Sequence, residues 1–228
     1  RCQGLVQRQH SNHGPPPASC STASSLRSID PIACMPASLK TYQTKRNFKQ
    51  TREPTGQRLR SSHKSRSLHF VVQKHDATRL HYDFRLEMDG VLKSWAVPKG
   101  VPRDKGESRL AMEVEDHPIE YGKFEGTIPP GNYGAGTVQL WDRGKYEVAG
   151  STPTEAWRKG KLSLVLHGKK LAGHWTLVRT RNDDSDKIAW LLIKPGESLP
   201  HMSATKLDVS VSSGKTLAEL SRSRRAWI

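Results

Sequence analysis

Between Leu80 and Glu87 apolar and ionisable side chains alternate without a break: Leu80, Tyr82, Phe84 and Leu86 against His81, Asp83, Arg85 and Glu87. Successive side chains of a strand point to opposite faces, so this pattern sorts cleanly on a β-strand and would be scrambled on a helix. Similar short runs recur at 68–73, 91–97, 109–115, 136–141, 162–166, 175–179 and 188–194, separated by turn signals. Asp89-Gly90 marks a tight hairpin between the second and third runs. The stretch 126–136 (GTIPPGNYGAG) reads as a Pro/Gly-rich loop, Asp142-Arg143-Gly144 as a turn, and Gly168 and Gly173 as further breaks. Helical periodicity is confined to 153–159 and 215–223, and no internal repeat is visible. A mainly-β fold is expected, a closed eight-stranded antiparallel barrel with a few short helices. Trp141, Trp175 and Trp190 fall in strand runs and are expected in its core.

Charge divides the chain. It carries 37 Lys and Arg against 22 Asp and Glu, a net of +15, and residues 1–67 hold 12 of the bases and only Asp30 and Glu53 of the acids. A basic arm thus precedes the apolar pattern, suited to holding phosphates by counterion release. No run of about 18 apolar residues exists, which excludes a transmembrane helix, and the N-terminus lacks the apolar stretch of a secretory signal. Cys2, Cys20 and Cys34 all precede the strand runs, so no disulfide staples the core and no Cys-based zinc site is expected. Residues 1–39, rich in Ser, Pro and Ala, are expected to be a disordered extension. Their arginines and serines resemble an organelle transit peptide, which Pro15, Pro16 and Pro17 oppose, and Met35 is the preferred native start. Residues 40–67 are read as a basic arm packing on the barrel, 68–200 as the barrel domain, and 201–228 as a tail with a short helix.

The ionisable row of 80–87 carries the chemistry. His81 and Asp83 stand about 7 Å apart on one face by strand rise, near enough for both side chains to meet one ion. His75, beyond a short turn, supplies a third ligand. Two imidazoles and a carboxylate form a mixed N/O set suited to Mn, Fe or Zn with positions left open for substrate. Alternation in 109–117 places Arg109, Glu113, Glu115 and His117 on one face, with Tyr121 following. With both polar rows turned into the barrel, Arg85, Arg109, His117 and Tyr121 would surround the metal, and arginine can grip two phosphate oxygens at once. Gly131–Gly136 reads as a turn rather than a nucleotide loop.

The segments HFVVQKHDATRLHYDFRLEMDGVLKSWAVPKG (69–100), RLAMEVEDHPIEYGKFEGTIPPGNYGAGTV (109–138) and WLLIKP (190–195) closely resemble the 3′-phosphoesterase domain of bacterial DNA ligase D. The likeness covers about 42–220 and includes Tyr42, Arg46, Phe48, Glu53 and Pro54. It implies an eight-stranded barrel with a manganese-preferring site in its interior, cobalt or zinc being alternatives. It implies removal of a 3′-terminal ribonucleoside and then of the 3′-phosphate, leaving a 3′-hydroxyl for non-homologous end joining. By motif, His75, His81 and Asp83 correspond to metal ligands, and Arg85, His117 and Tyr121 to groups holding the scissile phosphate. Gln73, Lys99, Arg109 and Glu115 correspond to supporting pocket residues, and Arg46 and Glu53 belong to the N-terminal motif. His117 serves as proton donor to the leaving oxygen if its surroundings keep it protonated. Asn47 stands where the family commonly has Asp.

The implied partners are DNA ends bearing a 3′-ribonucleotide or 3′-phosphate, together with a repair ligase, a polymerase and Ku. A monomer is expected, away from membranes, cytoplasmic and nucleoid-associated, or targeted to an organelle or nucleus in a eukaryote. No ligase or polymerase motif follows, which reads as the free-standing form or a fragment. Two other readings are a non-catalytic single-strand-binding barrel, whose binding would survive EDTA and His81→Ala, and an inactive docking subunit of a repair ligase. Retention of the metal-ligand positions and of Arg85, His117 and Tyr121 speaks against the second.

Overall fold

The computed structural model describes residues 39–56, 67–180 and 188–223. The strands are β1 (Leu68–Asp76), β2 (Leu80–Met88), β3 (Val91–Val97), β4 (Ser108–Pro118), β5 (Gly126–Ile128), β6 (Gly136–Val148), β7 (Lys161–Gly168), β8 (Ala172–Arg179) and β9 (Ala189–Ile193). Every pairing is antiparallel, in the order β1-β2-β3-β4-β9-β8-β7-β6, and the β1–β6 pairing closes a barrel of eight strands. The three-residue β5 is an addition, paired to the first residues of β6 ahead of β7. Among the described residues four short helices complete the fold: α1 (Lys40–Thr44), α2 (Pro153–Lys159), α3 (Ala204–Asp208) and α4 (Leu217–Arg222).

Local chemistry accounts for these elements. Asp89 and Gly90 both take positive φ, 51° and 80°, as a two-residue hairpin requires. Thr152 and Glu155 form a reciprocal capping box at the start of α2, and Gly160 ends it in the left-handed region. The expected turn at Asp142-Arg143-Gly144 is corrected, for these residues continue β6. An extra residue, Trp141, is inserted opposite Val72–Gln73 and bends the strand without ending it. Asp142 is fully buried there, accepting the backbone N–H groups of Lys169, Lys170 and Leu171.

The barrel interior is apolar. Phe70, Val72, Phe84, Leu86, Trp95, Ala111, Leu164, Trp175, Leu177, Trp190 and Leu192 form one cluster drawn from seven strands, and Trp141 joins it from β6. By pleat alternation the ionisable row of β2 therefore points outward, and the expected interior site is corrected to a site on the outer wall. A second cluster covers that wall: Leu39 and Tyr42 from the arm, Val91 and Leu92 from β3, Tyr121 and Phe124 from a 3₁₀ turn (Ile119–Lys123), and Ile128 and Val138 beyond it. Of the extension expected to be disordered, only Leu39 is described, and it is buried. Residues 1–38, 57–66 and 224–228 lie outside the described residues, as do the cysteines. No helix among the described residues is long and apolar enough to cross a membrane.

Candidate metal centre

His75 and His81 face each other across the β1–β2 ladder, and Asp83 pairs with Gln73 two positions further along. Their ligand atoms all lie within 4.8 Å of one another, the one such group found among the described residues. The other nitrogen of each ring is already committed. His75 Nε2 is 3.0 Å from the Gly134 carbonyl oxygen, and His81 Nδ1 is 2.9 Å from that of Arg79. A carbonyl only accepts, so those nitrogens carry protons, and the opposite ones are left free to offer lone pairs to an ion. The freed atoms, His75 Nδ1 and His81 Nε2, each stand 3.7 Å from an Asp83 oxygen. Backbone hydrogen bonds of this kind set the tautomer and aim of metal-binding histidines. Two lone pairs and a carboxylate turned toward one point fit a divalent transition ion with open positions.

Arg85 holds the carboxylate in place. Its Nη2 donates to Asp83 at 3.0 Å, its Nε to Gln73 Oε1 at 2.8 Å and its Nη1 to Ser94 Oγ at 2.8 Å. Burial by itself would raise the Asp83 carboxyl, but the Arg85 guanidinium and the two imidazoles hold it well below the usual carboxylate range. Gln73, fully buried, in turn donates to the carbonyls of Tyr121 and Phe124. It sits behind Arg85 and clamps the 3₁₀ turn to the barrel.

The arm supplies the opposite wall. Arg46 Nε pairs with Glu53 at 2.9 Å and Nη1 with Glu115 at 3.2 Å, while its guanidinium lies 3.9 Å over the Tyr42 ring. Arg46 Nη2 is 3.1 Å from His117 Nε2. Since arginine only donates, that nitrogen accepts, and His117 Nδ1 donates to the Glu115 carbonyl at 2.8 Å. Burial, with Arg85 and Arg46 adding to it, pushes the His117 imidazole well below 6.5. The expected proton donor is corrected: the surroundings keep His117 neutral. Nitrogen-detected NMR at pH 7 should show a neutral Nδ1–H imidazole, and a cationic ring would contradict the structure. The unfolded chain takes up this proton near pH 6.5 while the folded one does not, so this group lowers stability as pH falls below that value.

A cavity of about 200 Å³ joins these groups, lined by Arg46, His75, His81, Asp83, Arg85, Glu115, His117, Tyr121 and Tyr133 among others. Arg109 is not brought here. The extra residue in β4 opposite Leu92–Ser94 reverses the alternation, so Val114 shares the pocket wall with His117. Arg109 and Glu113 keep the parity of inward-facing Ala111. Arg109 pairs with Glu107, and Glu113 accepts the Trp190 indole N–H at 2.7 Å. Lys99 is exposed just beyond β3 and does not line the cavity. Asn47 is exposed too and caps its own turn by accepting the Lys49 amide at 3.2 Å.

Three contributors escaped the sequence reading: Ser94, Tyr133 and the Gly134 carbonyl. Gly136, at φ 146°, was the available signal. A Cβ there would run into the Asp76 carbonyl, so glycine alone lets the 131–136 loop approach the β1–β2 turn and reach His75.

The chain is similar to known proteins over much of its length. Residues 73–179 match the family model for the DNA ligase D 3′-phosphoesterase domain. The multifunctional non-homologous end joining protein LigD of Pseudomonas aeruginosa is 52% identical over 162 residues, covering 70% of this chain and 19% of that protein. Its namesake from Mycolicibacterium smegmatis is 42% identical over 161 residues, 68% of this chain and 21% of the other. LigD of Mycobacterium tuberculosis is 49% identical over 118 residues, half of this chain and 15% of the relative. The chain thus spans about a fifth or less of the length of these relatives. The matched stretch runs from β1 into β8 and holds His75, His81, Asp83, Arg85, Glu115, His117 and Tyr121, and over residues 73–179 the chain carries the 3′-phosphoesterase domain of the DNA ligase D family.

Proposed function

We propose that the chain is a metal-dependent 3′-end-healing phosphoesterase acting on DNA in double-strand break repair by non-homologous end joining. It removes a 3′-terminal ribonucleoside and then the 3′-phosphate, with manganese as the preferred ion and cobalt or zinc as alternatives. The barrel of residues 68–200 acts as the catalytic unit and the arm, over its described residues 40–56, as its outer wall. The observation that carries this reading is the convergence of one ring nitrogen each from His75 and His81 with the Asp83 carboxylate, beside Arg85 and Arg46.

Charge and size both suit a phosphate. Lys45, Arg46 and Arg85 balance Glu53, Asp83 and Glu115, so a divalent ion leaves the pocket net positive. A cavity of about 200 Å³ is below the range for whole small ligands, roughly 300–1,000 Å³. It admits a phosphate with part of its sugar and leaves the base outside, near exposed Tyr133. A divalent ion held by His75, His81 and Asp83 supplies Lewis-acid neutralisation at a phosphate oxygen. Arg85 fixes Asp83 and offers its remaining N–H groups to the phosphate. His117, neutral, accepts from Arg46 and sets the aim of that guanidinium. Tyr121 walls the cavity and lies 4.9 Å beneath the Arg85 guanidinium.

A primer–template ending in one 3′-ribonucleotide tests this. With manganese the wild-type protein should yield the 3′-phosphate and then the 3′-hydroxyl product. EDTA and His81→Ala should each abolish both. Identical product ladders in the three reactions would eliminate the proposal.

A further inference from the structure

Across the 3₁₀ turn from the metal pocket lies a second, larger groove of about 570 Å³. Val71 and Leu92 contribute its apolar floor, and Lys123, Arg143, Lys145 and Lys169 stand around it. The β1–β6 register sets Arg143 opposite Val71 and Lys145 opposite His69, and the β6–β7 register sets Lys145 beside His167. Glu87 is the sole carboxylate on its lining, and it is engaged with His69 at 3.1 Å. Lys123, Arg143 and Lys145 are exposed and make no side-chain ion pair or hydrogen bond among the described residues. Three uncompensated cations on one concave surface repel one another, and a polyanion is the natural relief.

Position selects the polyanion. Val71, Gln73 and His75 alternate along the same outer face of β1, so the groove and the metal centre share one wall. Strand rise puts His75 about 14 Å from Val71 and about 20 Å from His69. The 3₁₀ turn divides the two sites, with Tyr121 facing the pocket and Gly122 and Lys123 facing the groove. Along one strand of a duplex, at about 3.4 Å per nucleotide, that separation corresponds to roughly four to six nucleotides.

We propose that this groove binds the phosphate backbone of the DNA strand whose 3′ end occupies the metal pocket, several nucleotides from that end. This rests on the phosphoesterase reading of the pocket. It assigns the groove a sequence-independent role, since its free groups are point charges and a guanidinium aimed at phosphates.

The test compares wild type with a triple variant, Lys123→Ala, Arg143→Ala and Lys145→Ala. Hydrolysis is measured on a trinucleotide, too short to reach the groove, and on a 20-mer with the same 3′ end annealed to its complement. Binding of an annealed 3′-hydroxyl 20-mer in EDTA is followed by fluorescence anisotropy across a salt series. The variant should raise KM about tenfold or more for the 20-mer and less than twofold for the trinucleotide. Its slope of log K against log salt for the annealed 20-mer should fall by about 3, three phosphate contacts at roughly 0.9 each on duplex DNA. An equal loss on both substrates, or unchanged 20-mer affinity and salt slope, would overturn the proposal and leave the cations to an acidic protein partner. Absence of hydrolysis by the wild type would defeat the phosphoesterase reading instead, and the anisotropy series still decides the groove.

Discussion

Asp83→Asn should lower kcat/KM for 3′-end processing by at least about 10³-fold, equivalent to roughly 4 kcal/mol of transition-state stabilisation. The change preserves size and removes the one anion among the metal-ligand group. Arg85 then faces two imidazoles without a counter-charge, and a cation arriving between them meets net repulsion. Metal affinity should fall with activity, and thermal melting separates that loss from misfolding. At manganese about 100 times its Kd the wild type gains about 2.7 kcal/mol of stability, whereas Asp83→Asn should gain none. The metal-free proteins differ as well. Because the Asp83 carboxyl is held well below its ordinary value of 3.8 when folded, it stabilises the fold above that pH and loses this effect as pH falls further. The stability gap between wild type and Asp83→Asn should therefore be widest near neutrality and close under acid. A manganese-dependent rise in the melting temperature of Asp83→Asn equal to that of wild type would overturn the assignment.

Arg46→Ala should be the most damaging change in the arm. Arg46 and Glu53 are paired at 2.9 Å with side-chain exposures of 4% and 0%. Removing one member of a buried pair strands the other without water, at a cost of about 3–5 kcal/mol. The same truncation leaves Glu115 to Lys45 as its ion-pair partner, uncovers the Tyr42 ring and removes the donor to His117. The arm relieves part of the strain by peeling from the barrel, so the lower figure applies, roughly 6–12 °C in Tm for a chain of this size. Glu53→Gln should lose a comparable amount, and the double variant less than the sum, since both break one contact. Arg46→Lys should recover less than half, because an ammonium cannot make the forked pair and stack on Tyr42 together. A melting temperature for Arg46→Ala within about one degree of wild type would show that the arm is held by its apolar contacts alone.

Much of this was legible in the residues. Period-2 alternation located eight strands, the Asp89-Gly90 hairpin and the α2 capping box are local chemistry, and ladder neighbours such as His75 and His81 follow from a short turn between strands. The metal trio is therefore a local property, assembled within nine residues, His75–Asp83. The linear reading failed where an inserted residue altered a strand's parity. One extra residue in β4 moved Arg109 and Glu113 away from the pocket and Val114 into it, and Trp141 turned an expected stop in β6 into a bend. A bulge leaves almost no mark in composition, which is why alternation alone misplaced these residues.

What the sequence by itself determined is the sorting of each strand into an apolar and an ionisable face, and the presence of a ligand trio on the latter. Which face lay inside was decided only by closure. Once eight strands form a ring, the interior admits one set of side chains at close packing, and the large apolar residues of every strand fill it. Enclosing His81, Asp83 and Arg85 there would have cost their hydration without enough partners to replace it. They therefore stand on the outer wall, where α1, the 3₁₀ turn and the Gly134 loop fold over them from distant parts of the chain. The neutral state of His117 arises in the same way, from an arm far away in sequence laying Arg46 against a buried imidazole.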